Sequence, residues 1–312
     1  MSLTALVPLD GSPLAARALP FTADLASAGG GHVVLAHVRA SLYSDVHSDY
    51  DPAQDVARLR REGVTASSLT YCAPSEDVAD VLDLAVREAG ADLVVMSTHG
   101  RGGLRRSVFG SVADQLIRRA DVPVVLVPPH CEVSWENRRP SQILVPLDGS
   151  PLAEQALHHA AGLARLLDVE ILLVRALSPM LHPRYQNDKL VLSCADFVEV
   201  EDAWRYLADR ADGLRSEGNR VSIRVLVGSP SAAIADAART EGIDLIVMTT
   251  HGRGGLGRVL LGSVADGVLQ RTSVPVFLIR SDLADRSTFD ASASTATDAD
   301  VQVDELAGRA AR

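Results

Sequence analysis

The chain repeats itself, and no other feature restricts its fold as much. VPLDGSPLA at 7–15 recurs unchanged at 145–153, an offset of 138. THGRGGL at 98–104 recurs at 250–256, GSVAD at 110–114 recurs at 262–266, and DVPVVLV at 121–127 is echoed by SVPVFLI at 273–279, all offset by 152. Such self-similarity predicts two copies of one domain of about 130–140 residues, a common domain size. The second copy is longer by 14, the difference between the offsets. The prolines and mixed polarity of SPMLHPRYQNDKLVLSCADF (178–197) predict that the extra residues form a loop. The expected division is a first domain over 1–129, a polar linker over 130–140, a second domain over 141–281 and an acidic tail over 282–312. The tail, rich in Ser, Thr, Ala and Asp, has too few large apolar residues to pack and is expected to stay disordered.

Within a copy, apolar runs alternate with amphipathic stretches. LTALVPL (3–9), HVVLAHV (32–38), 64–71, ADLVVMS (91–97) and VPVVLVP (122–128) read as strands, with helices over 12–28, 52–62, 76–89 and 111–119. Ser12 followed by Pro13 is a helix start, a hydroxyl cap before a proline at the first helical position. The continuous apolar run 91–97 is expected of a strand buried on both faces of a parallel sheet. The second copy places strands at 141–147, 171–177, 221–227, 243–249 and 274–280. The expected class is α/β: two tandem five-stranded, mostly parallel-sheet α/β sandwich domains of Rossmann-like type. The last strands combine β-prone apolar sequence with a sheet-edge position, so they are expected to pair across the two halves as a pseudo-dimer.

Composition removes whole classes of function. With 47% apolar and 22% charged residues, two cores can form. A net charge of −10 argues against nucleic acid and anionic membranes as partners. No run of about 18 apolar residues is present to span a membrane. MSLTALVPLD lacks the basic flank and long apolar stretch of a signal peptide, which predicts a cytoplasmic protein. Three widely spaced cysteines, Cys72, Cys131 and Cys194, fit a reducing compartment and carry no metal-ligand spacing. Of 30 basic residues only Lys189 is a lysine, and no glycine-rich loop precedes it, so a P-loop is excluded.

Ligands of open parallel sheets bind outside the carboxyl ends of the strands. Two repeated elements land there. One is Asp10, and Asp148, directly after the first strand; the other is the glycine loop 97–111, and 249–263, after the fourth. Glycines let a ligand approach main-chain N–H groups closely. The loop enters a helix at Gly110-Ser111 or Gly262-Ser263, where free N–H groups and the helix dipole favour a phosphate. Ser111 and Ser263 are read as N-caps that also donate to that anion. A carboxylate across the cleft suits a ribose hydroxyl or an adenine amino group, so the pair describes a nucleotide site. Gly252, Gly254 and Gly257 spell G-x-G-x-x-G, but after the fourth strand, and the first copy has Arg105 in the third place; a dinucleotide reading fails. His158 and His159, adjacent on a helix, face different ways and make a poor metal pair, while Trp135, Trp204 and Cys194 read as packing residues.

The spacing G-x9-G-[ST] after a strand and T-H, with P-x-D-x-S after the first strand, resembles the universal stress protein family over 3–128 and 141–280. That resemblance implies a five-stranded adenine-nucleotide-binding fold. Many members bind ATP, others do not, and members pair through the last strand, which tandem members can do within one chain. By position, Asp10 is implied toward the adenosine, Val38 beside the base, and Pro8 and Met96 nearby through their backbones. His99, Gly100, Gly110, Ser111 and Val112 are implied at the phosphates. The second site would use Pro146, Asp148, Met248, His251, Gly252, Gly262, Ser263 and Val264. Ser97 and Thr249 stand where ATP-binding members carry the first glycine of G-x2-G, and Ala176 stands opposite Val38.

Three functions stay open at this point. The leading one is a cytoplasmic stress-response sensor or regulator binding ATP, with Mg2+ on the nucleotide, in each domain. A slow ATPase using the same sites is the second, and a nucleotide-independent dimerising scaffold the third. Homodimer formation is left open, and no catalytic or metal-ligating residue is assigned.

Overall fold

The computed structural model describes residues 3–39, 50–72, 77–98, 110–131, 135, 139–178, 184–186, 189–191, 194–250 and 261–280, the side chains of 184–186, 189–191 and 194–197 excepted. The first half runs β1 (Thr4–Pro8), α1 (Pro13–Ala16), α2 (Ala18–Ala28), β2 (His32–Arg39), α3 (Pro52–Arg61), β3 (Thr65–Cys72), α4 (Val78–Glu88), β4 (Leu93–Ser97), α5 (Ser111–Arg119) and β5 (Val124–Val127). The second runs β6 (Gln142–Pro146), α6 (Pro151–Leu167), β7 (Glu170–Leu177), β8 (Arg184–Gln186), β9 (Lys189–Val191), α7 (Cys194–Ser216), β10 (Val221–Val227), α8 (Pro230–Thr240), β11 (Leu245–Thr249), α9 (Ser263–Leu269) and β12 (Val276–Ile279).

Ten strands form one sheet in the order β10-β7-β6-β11-β12-β5-β4-β1-β2-β3. Within this sheet every pairing inside a half is parallel, and β12 runs antiparallel to β5, with Phe277 opposite Val125. Alternation along each strand divides the interior into two layers. Ala5 and Val7 of β1 face one side with Leu25 of α2, Leu59 of α3, Leu163 of α6 and Leu207 of α7. Leu6 faces the other with Leu82 of α4, Leu116 of α5, Ile234 of α8 and Leu269 of α9. Each layer holds residues of both halves. The class expected from the sequence is the one observed, an α/β/α sandwich on a mostly parallel sheet.

Local differences between the copies have local causes. The helix expected over 12–28 is broken at Arg17 into α1 and α2. Pro20 has no N–H for the Ala16 carbonyl and its ring clashes there. His158 occupies the matching place in the second half, and α6 runs unbroken for 17 residues. The extra residues are not all loop, as the sequence suggested: β8 and β9 form an antiparallel hairpin and α7 begins at Cys194. Left-handed turn glycines track the offset, which is 138 at Gly11/Gly149, 155 at Gly63/Gly218 and 152 at Gly90/Gly242. The insertion therefore lies before β10, and a three-residue shortening after it restores the register. Trp135, in the stretch read as a polar linker, is buried with its ring 5.2 Å from that of Phe21. Trp204, read as a packing residue, is instead 57% exposed on α7, because Ala203 and Leu207 take the inward positions. His158 is exposed and His159 fully buried, as adjacent helical positions require. No described helix is long and apolar enough to cross a membrane.

Candidate functional site

In a sheet ordered β3-β2-β1-β4-β5 the chain leaves β1 toward the α1/α2 layer and leaves β4 toward the α5 layer. A crevice opens where those paths diverge. The register shows where. β1 stays with β2 as far as Pro8 opposite Ala36, and β4 stays with β5 as far as Ser97 opposite Val127. Between β1 and β4 the pairing stops earlier, at Leu6 opposite Val94. The second half repeats this: pairing persists to Pro146–Val174 and Thr249–Ile279, but β6 and β11 part after Leu144–Ile246.

Asp10 sits on the β1 side of the gap. Its Oδ1 accepts from the Ser12 N–H at 2.9 Å across Gly11, whose φ of 80° is a left-handed conformation glycine supplies without strain. Ser12 Oγ then accepts from Ala15 N–H at 3.1 Å and caps α1. Asp148, Gly149 and Ser150 build the same turn, with 2.9 Å from Ser150 N–H to Asp148 Oδ1 and 3.2 Å from Ala153 N–H to Ser150 Oγ.

On the β4 side, Thr98 N–H donates to Val127 O at 3.1 Å, and Gly110 N–H donates to Thr98 O at 2.8 Å, folding the start of α5 back over the strand end. Gly262 N–H and Thr250 O repeat this bond at 2.6 Å. Both glycines are the N-caps of their helices, in extended conformation and with no side-chain cap. This corrects the reading of Ser111 and Ser263 as caps. They are the first helical residues, their side chains exposed, because the glycine before each already holds the turn through its own N–H. The first-turn N–H groups of α5 and α9 thus lack the side-chain acceptor that Ser12, Asp51, Asp77 and Ser150 supply to α1, α3, α4 and α6. An anion meets those requirements.

The remaining candidates are distributed as follows. Pro8 and Pro146 end β1 and β6 half-buried; Met96 and Met248 are buried in the α5/α9 layer; Val112 and Val264 pack against that layer, as does Val38 of β2. Ser97 and Thr249, beside Met96 and Met248, are buried too, and alternation turns them toward the opposite, α1 and α6, layer. His99, Gly100, His251 and Gly252 lie outside the described residues. No group of three His, Cys, Asp or Glu side chains able to hold a metal ion is gathered among the described residues.

Two residues beside the first crevice were not singled out in the sequence. His37 of β2, 3% exposed, makes a 2.7 Å hydrogen bond through Nδ1 to the carbonyl of Leu9. The ring of Tyr50 meets it edge-on at 5.2 Å, and Tyr50 donates to Asp55 Oδ2 at 2.9 Å. Burial foremost, then the bond to Asp55, with a smaller push from the Asp10 charge, raises the Tyr50 phenol well above its ordinary range. The only available signal was that position 37 changes to Arg175 in the second copy. Arg175 and Arg210 lie 5.1 and 5.5 Å from the Tyr206 ring centroid. Tyr206 donates to Glu154 at 2.9 Å, and its phenol is raised by burial and by that carboxylate.

The description of the universal stress protein family matches this chain twice, over residues 1–128 and 141–280. The chain belongs to the universal stress protein family. A universal stress protein of Mycobacterium tuberculosis is 34% identical to it over 234 residues, 72% of this chain and 75% of that one. A crystal structure of a universal stress protein from Archaeoglobus fulgidus covers 89% of this chain and 96% of its own at 20% identity, with a TM-score of 0.59. A functionally unknown protein from Pseudomonas aeruginosa covers 90% and 94% at 18% identity, with a TM-score of 0.63. Both structures share the fold. This universal stress protein therefore carries two copies of the family domain, each with an acidic turn and an uncapped helix start facing one strand-end gap.

Proposed function

We propose that the protein binds an adenine nucleotide, ATP with its Mg2+, at the strand-end crevice of each domain and acts as a cytoplasmic stress-response sensor or regulator. The observation that carries this reading is the pairing register. In each half the central strands part just where an acceptor turn and an open set of helix N–H donors flank the gap. The turn suits a sugar or base, and the donors suit phosphate. In this reading Asp10 and Asp148 face the adenosine, Val38 flanks the base, and the backbones of Pro8, Met96, Pro146 and Met248 line the gap. Gly110, Ser111 and Val112, with His99 and Gly100, take the phosphates of the first site. Gly262, Ser263 and Val264, with His251 and Gly252, take those of the second. The binding units are the domains 1–129 and 141–281, held together through β5 and β12.

Freshly purified protein is to be denatured and the released small molecules identified by mass spectrometry, then the emptied, refolded protein titrated with ATP and Mg2+. The expected result is ATP released or bound at up to two per chain. Release of ADP alone would favour slow hydrolysis at the same sites. No nucleotide released and no heat on titration would overturn the reading.

A further inference from the structure

We propose that His37 is a positioning residue of the first crevice: its ring holds the Leu9 carbonyl and so presets the Asp10 turn, a tether with no counterpart among the described residues of the second crevice, which leaves the two sites unequal. The clause about ligand binding rests on the nucleotide reading above; the clause about the turn does not.

A carbonyl oxygen only accepts, so the 2.7 Å contact requires the proton on Nδ1 of His37. In the neutral ring Nε2 is then a bare acceptor, and it is buried with no hydrogen-bond partner among the described residues. A polar ring kept at 3% exposure with half of its hydrogen-bonding capacity unmet is a poor choice for packing alone, since an apolar side chain there would leave nothing unpaired. The bond made by Nδ1 accounts for its presence. That bond acts on the peptide that leads into Asp10. Leu9 is gripped at both ends, its N–H donating to Ala36 O at 2.8 Å and its carbonyl accepting from His37, and Asp10 Oδ1 then closes on Ser12 N–H. Tyr50 seats the imidazole from the side, and α3 anchors Tyr50 through Asp55. The Asp10 charge is felt at the Tyr50 phenol, as it should be if the turn and this cluster are neighbours.

The second half keeps the frame and omits the tether. Leu147 N–H donates to Val174 O at 2.8 Å and Ser150 N–H reaches Asp148 Oδ1, as in the first half. Arg175 occupies the place of His37, with its guanidinium laid over Tyr206. Among the described residues no side chain donates to the Leu147 carbonyl. Among the described residues the Leu147 carbonyl therefore lacks the side-chain grip that Leu9 has, and in this reading more of the ordering of the second turn falls to the ligand.

The test compares wild type, His37→Leu, which keeps an apolar side chain of similar reach, and His37→Asn, whose amide can donate from nearly the position of Nδ1. Two readouts are taken on the full chain: amide exchange at Ser12 and Ser150, and a two-site titration with ATP and Mg2+. The expected result is that His37→Leu speeds exchange at Ser12 about tenfold, leaves Ser150 unchanged, and weakens only the tighter of two binding classes by about tenfold. His37→Asn should restore both to within about twofold of wild type. A merely structural role would not separate Ser12 from Ser150, nor be rescued by Asn. Unchanged Ser12 exchange in His37→Leu, equal loss at both sites, failure of Asn to rescue, or two equal sites in wild type would overturn the proposal. If wild type binds no nucleotide, the functional reading falls and Ser12 exchange alone decides whether His37 presets the turn.

Discussion

A Cβ placed on Gly31 would lie 2.1 Å from the carbonyl oxygen of Leu3, the same oxygen that accepts from His32 N–H at 2.8 Å to start the β1–β2 ladder. Backbone cannot yield there as a side-chain tip could, so Gly31→Ala should destabilise the protein by roughly 2–3 kcal/mol, read as a fall in the denaturant midpoint. Asp168 presents the opposite case. It ends α6 at φ 54°, the left-handed region, where the first half uses Gly30 at φ 59°. Asp168→Gly should raise stability by about 0.5–1 kcal/mol, since its exposed ion pair with Arg220 contributes little. Tyr71 carries a titration signature. Burial first, and the bond from its hydroxyl to Glu88 second, push its phenol up to about 12. The folded state thus favours the neutral phenol; that contribution is intact below the ordinary tyrosine value and is lost as pH rises through about 12. Ultraviolet titration should show a tyrosine ionising near 12, ahead of the still later Tyr50 and Tyr206, and Tyr71→Phe should remove that step alone.

At the scale of elements, the two kinds of helix start make a sharper test than any single contact. A Cβ on Gly110 would meet Thr98 O at 3.6 Å, an ordinary contact, and its φ of −65° suits any residue. Gly110→Ser should therefore add a side-chain cap and stabilise α5 by a few tenths of a kcal/mol. It should also lower nucleotide affinity severalfold at that site, because the new hydroxyl takes N–H groups the phosphate would use. Thermal melting and titration, moving in opposite directions, check this. Much of this level was legible beforehand. Strand β10 spans the predicted 221–227, and β1, β4 and β5 fall inside their apolar runs, because uninterrupted Val and Leu stretches bounded by glycine and proline have few other uses in a soluble fold. Pro20 was equally visible, yet the Ala- and Leu-rich periodicity around it reads as one helix until the lost bond to Ala16 is counted. The β8–β9 hairpin was hidden by prolines in the segment, although Tyr185 and Val191 are β-formers. Asp10 and Gly110 stood out because they repeat. His37 did not, because a hydrogen bond to a carbonyl leaves no mark in a sequence, and the copy that could have flagged it holds Arg175.

At the scale of the molecule, the halves share both interior layers, and Phe277 of β12 is fully buried at their junction. Arg280 reinforces the junction by donating to Arg118 O at 2.7 Å and pairing with Asp121. Phe277→Ala should cost about 3–5 kcal/mol. Wild type should unfold in one calorimetric transition covering both halves, and the variant in a broadened or split one. The antiparallel step between β12 and β5 has one more consequence. In the ten-stranded sheet the five strands of one half point opposite to the five of the other, so the two crevices open on opposite strand-end sides of the sheet. A partner lying flat along one edge can read only one of them. The protein is in this respect a plank with a mouth on each long side, and under the proposed nucleotide reading each mouth would present its occupancy to a different side.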